Sequence, residues 1–202
     1  MANPVVANII YGRALVYYAP VGEAVPADTV AAGATWGGNW KRVGYTQEAV
    51  TMAYEDEQTD IGVQEELTPV NRFKSAESLI IETVLSELIP DYMELAVGAG
   101  AVASTAQGAG QPPKETFNVG GQAVLRSYQW AIEGTYRDAS NNEYPVRFFI
   151  WKGNGKLNGE LEFAKDRENG TGVPLQINAL ADTGKAVGQK LFRMVRITGA
   201  AL

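Results

Sequence analysis

The sequence predicts a mainly β protein, an antiparallel β-sandwich or partial barrel with one flanking α-helix. Apolar and polar residues alternate along several segments, 22 glycines and 9 prolines interrupt them, and one segment alone shows helical spacing. Runs of short strands separated by turns are typical of antiparallel sheets rather than of βαβ units. With 46% hydrophobic and 20% charged residues, we predict a single domain over residues 1–202.

The composition also limits the chemistry. The chain has no cysteine and no histidine, which excludes Ser-His-Asp and Cys-His catalysis and His- or Cys-based zinc sites. The net charge is −6 and the basic residues are scattered, which argues against tight nucleic-acid binding. No apolar run approaches the roughly twenty residues of a membrane helix. The simple chemistries that remain are carboxylate pairs, a Lys or Tyr base and oxygen-ligated metals. Our prediction for the whole chain is a protein that is not an enzyme, has no cofactor or metal, and does not act at a membrane.

The first predicted strand covers Ala14–Pro20, with the sequence ALVYYAP. The connector that follows contains Pro20, Gly22, Pro26 and three further glycines and has little periodicity. Trp36 and Trp40 lie at the end of this connector, and we expect them to anchor it to the core.

The segment from Trp40 to Leu85 organises the predicted fold. Its first strand places Val50, Met52 and Tyr54 on one face, and a second strand runs from about Arg72 to Leu85. The polar face of the first of these strands carries Thr51, Glu55 and Glu57.

Between these strands, QTDIGVQEELTPVN (58–71) is predicted to form a long acidic loop. Seven carboxylates and no basic residue lie between Glu48 and Glu66. A solvated loop is the simplest interpretation of such a run. Loops of this length in compact domains are also frequently functional.

The only predicted helix lies in SELIPDYMELAVG (86–98). Apolar residues recur there at helical spacing, Ser86 is a candidate N-cap, Pro90 suits the first turn, and Gly98 suits the C-terminal stop. The segment 99–121 is rich in Gly, Ala and Pro, and we predict that it is a long surface loop.

The second half is predicted to be entirely β. VLRSYQWAIEGTY alternates, with Ser127, Gln129 and Glu133 on its polar side, and VRFFIW is apolar on both faces and so should lie in the sheet centre. A glycine-rich turn at Gly153 and Gly155 is expected to lead into KLNGELEF, with Leu157, Leu161 and Phe163 inward. VPLQINALAD and LFRMVRITG complete the strands.

Candidate reactive groups are few. Glu160 and Glu162 share a strand face and could form an acid–base pair, but they equally suit the wet face of a strand. The Glu55-Asp56-Glu57 cluster could bind calcium, although it lacks the spacing of an EF-hand.

Three segments together resemble a known family. ALVYYAPVGEAVPAD, WGGNWKRVGYTQEAVTMAYEDE and LTPVNRF look like the N-terminal half of the major tail protein, the tail tube subunit, of long-tailed bacteriophages. VPLQINALAD resembles the closing β-region of the same family.

This resemblance implies a structural virion protein that forms six-membered rings, which close into a ring barrel and stack into a hollow tube for DNA delivery. A loop between two early strands would reach the next ring; its candidates are Gln58, Thr59, Asp60, Ile61, Gln64, Glu65, Glu66, Leu67 and Asn71. Candidates for the lumen are Thr51, Glu55, Glu57, Ser127, Gln129 and Glu133. The implied partners are other copies, a tape-measure protein, tail terminator and tail-tip proteins, and DNA in passage. The implied location is the virion tail, with assembly in the host cytoplasm.

Two other classes stay open from the residues alone. A soluble β-sandwich binding module for sugar or protein would present exposed aromatics such as Trp36, Trp40 and Trp151. A carboxylate-based enzyme would hold at least one carboxyl group with a raised pKa in a cleft.

Overall fold

A computed structural model describes residues 10–121, 124–138, 140–161, 163 and 171–199, and it confirms the predicted fold class. The protein is mainly β, with antiparallel sheets and one helix. The strands are β1 (Ile10–Pro20), β2 (Lys41–Arg42), β3 (Thr51–Ile61), β4 (Asn71–Leu85), β5 (Ala101–Thr105), β6 (Lys114–Asn118), β7 (Tyr128–Arg137), β8 (Glu143–Leu157), β9 (Val173–Ala179) and β10 (Phe192–Arg196). The helix α1 (Pro90–Val97) lies between β4 and β5.

The main sheet divides at the middle of β8. Its strand order is β2-β1-β7-β8-β9-β4-β3, and β10 also pairs with β8. The first half of β8 pairs with β10, from Val146 to Ile150, and the second half pairs with β9, from Gly153 to Leu157. Between these halves the register with β7 shifts by one residue, which exchanges the faces of the β8 side chains. The sheet is therefore open in the protomer, with β10 and β9 diverging from one central strand.

Two apolar clusters pack on the two faces of this sheet. The larger one lies inside the curved sheet and includes Leu79, Ile81, Trp130, Ile150 and Ile177, with Leu95 and Ala96 of α1 over it. The second lies on the outer face, where Trp36 stacks on Tyr17 with ring centroids 3.9 Å apart. As predicted, Trp36 and Trp40 anchor the connector, with 4% and 7% of their surfaces exposed.

The central strand VRFFIW is confirmed, because β8 lies between β7 on one side and β9 and β10 on the other. The strands predicted for ALVYYAP, 72–85, VPLQINALAD and LFRMVRITG are also present.

The helix is shorter than the predicted segment. It begins at Pro90, and Ile89 occupies the N-cap position without a capping side chain, so the expected cap by Ser86 is wrong. Proline suits the first helical position and disfavours helical backbone in the residue before it, which fixes the start. Gly98 ends the helix at φ 70°, and its N–H donates to the Glu94 carbonyl, as predicted.

The glycine-rich turn predicted at Gly153 and Gly155 is wrong, because both glycines lie within β8. A Cβ at Gly155 would overlap the backbone carbonyl of Leu95 in α1. Glycine is needed here because the helix backbone approaches the strand directly. This contact is what seats α1 over the inner core.

Two further expectations differ from the structure. The strand KLNGELEF ends at Leu157, and Phe163 is 77% exposed rather than inward; Glu162 lies outside the described residues. The segment 99–121 is not a structureless loop, because β5 and β6 pair there as a separate hairpin. Its Gly- and Ala-rich composition gives no clear alternation, so the sequence did not predict this short strand pair, which packs beside α1.

We expect Gly155→Ala to destabilise the fold, because the added Cβ would clash with the helix backbone and neither the helix nor the strand can shift without a cost in free energy. Overpacking of this kind costs about 1–3 kcal/mol. Thermal unfolding should show a lower midpoint for Gly155→Ala and an unchanged one for Gly37→Ala, where an added Cβ meets no atom within 4 Å. Equal midpoints for the two variants would contradict this account of α1.

Candidate assembly surface

The β3–β4 hairpin is the most exposed part of the main sheet. Every residue of β3 and the first eight of β4 are exposed. β4 pairs with β9 only from Ile80 onward, so 71–79 is supported by β3 alone. At about 3.3 Å per residue, this unsupported part extends roughly 25 Å. The hairpin therefore projects from the folded body.

The structure shortens the acidic loop predicted for 58–71. Gln58, Thr59, Asp60 and Ile61 belong to β3, and Asn71 begins β4. The connecting segment is 62–70, which holds the other predicted residues Gln64, Glu65, Glu66 and Leu67. We name this segment the hairpin tip. The register of β3 against β4 shifts between Glu57 and Gln58, so the alternation of side chains is interrupted there and the sequence did not predict that the pairing continues.

Two basic residues of β4 offset part of the acidic charge. Arg72 forms an ion pair with Asp60 at 2.5 Å, and this bond lowers the pKa of Asp60 from its usual value. The Lys74 ammonium contacts the Tyr54 hydroxyl, which raises the pKa of Lys74, and lies 3.5 Å from Glu77. The contacts of Arg72 with Asp60 and of Lys74 with Tyr54 join the two strands of the hairpin, whereas the contact of Lys74 with Glu77 lies within β4.

Thr51, Glu55 and Glu57 lie on one face of β3, as the alternation predicted. Opposed residues continue this face across four strands, in a row formed by Thr51, Glu82, Gln176 and Lys156. A second polar pair, Asn178 and Asn154, lies beside this row. We name this surface the polar face. Sequence analysis missed Glu82, Gln176 and Lys156, although the alternation in LQINA was a signal for Gln176.

Gln129 and Glu133 do not lie on an exposed face. Each is only 1% exposed, because the connector that follows β1 covers this part of the sheet. Ser127 precedes β7, is half-buried and accepts a hydrogen bond from Asn154 Nδ2 at 3.2 Å. The expected wet face of β7 is therefore wrong for Gln129 and Glu133.

A buried ion pair accounts for the burial of Glu133, and Gln129 Oε1 accepts a hydrogen bond from Gly22 N of the connector at 3.2 Å. Arg147 Nε donates to Glu133 Oε2 at 2.7 Å, and both side chains are 1% exposed. Glu133 Oε1 accepts from Gly33 N at 2.7 Å, and Arg147 Nη2 donates to the Val30 carbonyl at 2.6 Å. Burial and the Glu133 carboxylate raise the pKa of Tyr17 nearby. Alternating polar residues in β7 thus reflect charges that bind the connector, which a sequence cannot distinguish from solvated charges.

Charge is concentrated on the hairpin. Residues 48–82 contain nine carboxylates and two basic residues, a formal charge of −7, whereas the whole chain carries −6. Glu55, Asp56 and Glu57 alternate between the two faces of β3. Among the described residues no group of three or more acidic side chains is arranged to hold a metal ion, so the calcium hypothesis gains no support.

A family model for the phage tail tube protein matches residues 1–193 of this chain. The chain belongs to the phage tail tube protein family. A search of curated proteins found no match. As a tail tube protein, it is a structural component of the phage tail and assembles with itself into a tube.

The features expected of a binding module differ from what the structure shows. Trp36, Trp40 and Trp151 are 4%, 7% and 8% exposed, so they form part of the outer cluster and not a ligand platform. No helix among the described residues has the length and apolarity to cross a membrane.

The carboxyl groups with clearly shifted pKa values do not fit general-acid catalysis. Hydrogen bonds from Arg72 and Asn142 lower the pKa of Asp60 and Asp138 respectively. Such shifts favour the ionised acceptor, whereas a general acid needs a raised pKa. Both groups serve structural contacts.

We expect Arg147→Met to destabilise the protein strongly, because it leaves the Glu133 carboxylate buried without its partner. Removing one member of a buried pair costs about 3–5 kcal/mol. Urea unfolding should show this loss, and adding Glu133→Gln to the same chain should recover part of it. The exposed Arg193→Met serves as the control. An Arg147→Met midpoint equal to that of the control would refute the anchoring role of the pair.

Proposed function

We propose that this tail tube protein forms six-membered rings that stack into the tube, with the polar face toward the lumen. The observation that supports this most is the continuous row of polar residues across β3, β4, β9 and β8, which is exposed at Thr51, Glu82 and Lys156 and buried at Gln176. The rest of the outer face is covered by the connector and its tryptophans. The polar face is therefore our candidate for the channel lining.

The free edge of β3 supports ring closure. Among the described residues β3 pairs with β4 alone, along all 11 residues, which leaves one edge without a partner strand. Exposed edges of this length favour pairing with another chain. A neighbour in the ring would satisfy these groups, and a barrel closed across subunits would leave no edges.

The charge of the polar face suits DNA passage. Glu55, Glu57 and Glu82 would repel DNA phosphates and keep the genome from adhering to the wall. At physiological salt this repulsion acts within about 8 Å, so it operates close to the lumen surface. A tape-measure protein would fill the same lumen before DNA, and terminator and tip proteins would close the two ends. We place this assembly in the host cytoplasm.

The hairpin tip is our candidate for contact between rings. It lies at the end of a projecting hairpin, and Leu67 is fully exposed there. Gln58, Thr59, Asp60, Ile61 and Asn71 would position the tip through strand pairing rather than form the contact loop themselves.

We expect Glu55→Lys with Glu57→Lys to leave tubes intact but impair DNA delivery, since the new ammonium groups attract phosphate. Phage carrying this variant should assemble tails of normal appearance and show reduced infectivity. Glu115→Lys with Glu160→Lys makes the same charge change at exposed positions outside the polar face. Normal infectivity in the lumen variant would argue against the orientation of this face.

Replacing the hairpin tip with a two-residue Asn-Gly turn should abolish tubes but preserve rings. This turn suits a two-stranded hairpin, so β3 and β4 should still pair. Sedimentation would report the ring, and negative-stain electron microscopy would report the tube. Tubes of normal length from the shortened chain would exclude the tip as the contact between rings.

A further inference from the structure

Two surfaces of this chain are complementary in charge and both carry exposed apolar side chains, namely the hairpin tip and a cleft at the base of the same hairpin. We propose that the cleft of one copy receives the hairpin tip of a second copy. This inference rests on the proposed stacking of rings and assigns the receiving site for that contact.

The tip combines exposed apolar surface with uncompensated negative charge. Leu67 is fully exposed, and Val63 and Val70 are about half-exposed. The carboxylates of Glu65 and Glu66 form no hydrogen bond or ion pair with a described residue. Apolar side chains held away from the core in this way are typical of contact sites.

The cleft has the complementary character. Its volume is about 390 Å³, and it lies between the hairpin and the segment 187–192, with Tyr54, Lys74, Glu77, Val187, Gly188, Lys190, Leu191 and Phe192 as its lining. Val187 is 90% exposed at its rim. Lys190 is half-buried as a residue, and its ammonium has no hydrogen-bond or ion-pair partner among the described residues.

The charge already inside the cleft is balanced. Glu77 accepts a hydrogen bond from the Tyr54 hydroxyl at 3.0 Å and lies 3.5 Å from the Lys74 ammonium. Lys190 is therefore the charge in the cleft that lacks a partner within the described chain. A carboxylate from Glu65 or Glu66 would supply that partner, while Leu67 would pack on Val187 and Leu191.

The wider charge distribution favours this orientation of the two copies. Residues 183–199 contain four basic side chains and no Asp or Glu, whereas residues 48–82 carry a formal charge of −7. Contact between two tips would place like charges together, and contact between two clefts would do the same. The tip of one copy and the cleft of another attract each other. The charges therefore favour tip-to-cleft contact over tip-to-tip or cleft-to-cleft contact.

The two surfaces are different parts of one chain, which determines the kind of assembly. A contact between unlike patches is heterologous and propagates when it does not close on itself. A cleft of about 390 Å³ holds only a few side chains, so a single contact should be weak. A ring presents several tips at once, and multivalent binding raises the effective strength by about 10²–10⁴-fold. Rings should therefore form first and then stack.

The test reverses the charges on each surface separately and then together. Lys190→Glu alone, and Glu65→Lys with Glu66→Lys alone, should give rings without tubes. The chain that carries all three substitutions should recover tubes, because the attraction is restored with opposite signs. Arg193→Glu, a comparable reversal on β10 outside the cleft, is the matched control and should form tubes. Sedimentation measures rings, and negative-stain electron microscopy measures tubes.

The outcomes separate the cleft from the proposed function. Tubes from Lys190→Glu as long as those from Arg193→Glu would overturn the cleft assignment and leave ring stacking intact. Loss of tubes in the reversed chain without recovery in the combined chain would also overturn it. Failure of the unsubstituted protein to form rings or tubes at any concentration would reject the proposed function, and the cleft assignment with it.

Discussion

The buried ion pair between Glu133 and Arg147 determines which part of the outer sheet face is covered by the connector and which part is not. It binds the connector through Gly33, Ala27 and Val30, while Trp36 and Trp40 fill the space beside it. Charges removed from water need full hydrogen bonding, and the connector backbone supplies it. The connector is therefore held over β1, β7 and the first half of β8. The polar face, formed by the second half of β8 with β9, β4 and β3, lies outside this cover and is exposed at Thr51, Glu82 and Lys156.

The division of the sheet at β8 gives the two halves different roles. One half, with β10, is covered on its outer face and forms the body of the protomer. The other half continues into a hairpin that leaves the body, with an unpaired edge along β3. These features favour partnership with other copies, since a free edge, a projecting tip and a one-sided charge are all unsatisfied within a single chain.

The sequence predicted the structure well where the alternation of apolar and polar residues reflected burial. It did not predict contacts between side chains that are far apart in the chain. Strand positions and the core character of VRFFIW followed from periodicity, and the resemblance in the first half identified the family. Glu133 and Arg147 were not predicted as partners, because their pairing depends on register between β7 and β8. Gly155 suggested a turn, since only the position of α1 shows that the glycine serves a close backbone approach. Lys190 carried no signal, because the cleft joins segments over a hundred residues apart in the chain.

Cryo-electron microscopy of tubes assembled from the purified protein is the most direct test of this account. We predict stacked rings in which the row formed by Thr51, Glu82, Gln176 and Lys156 faces the lumen, with the connector on the side away from it. A reconstruction in which the connector and its tryptophans line the channel would contradict the central claim.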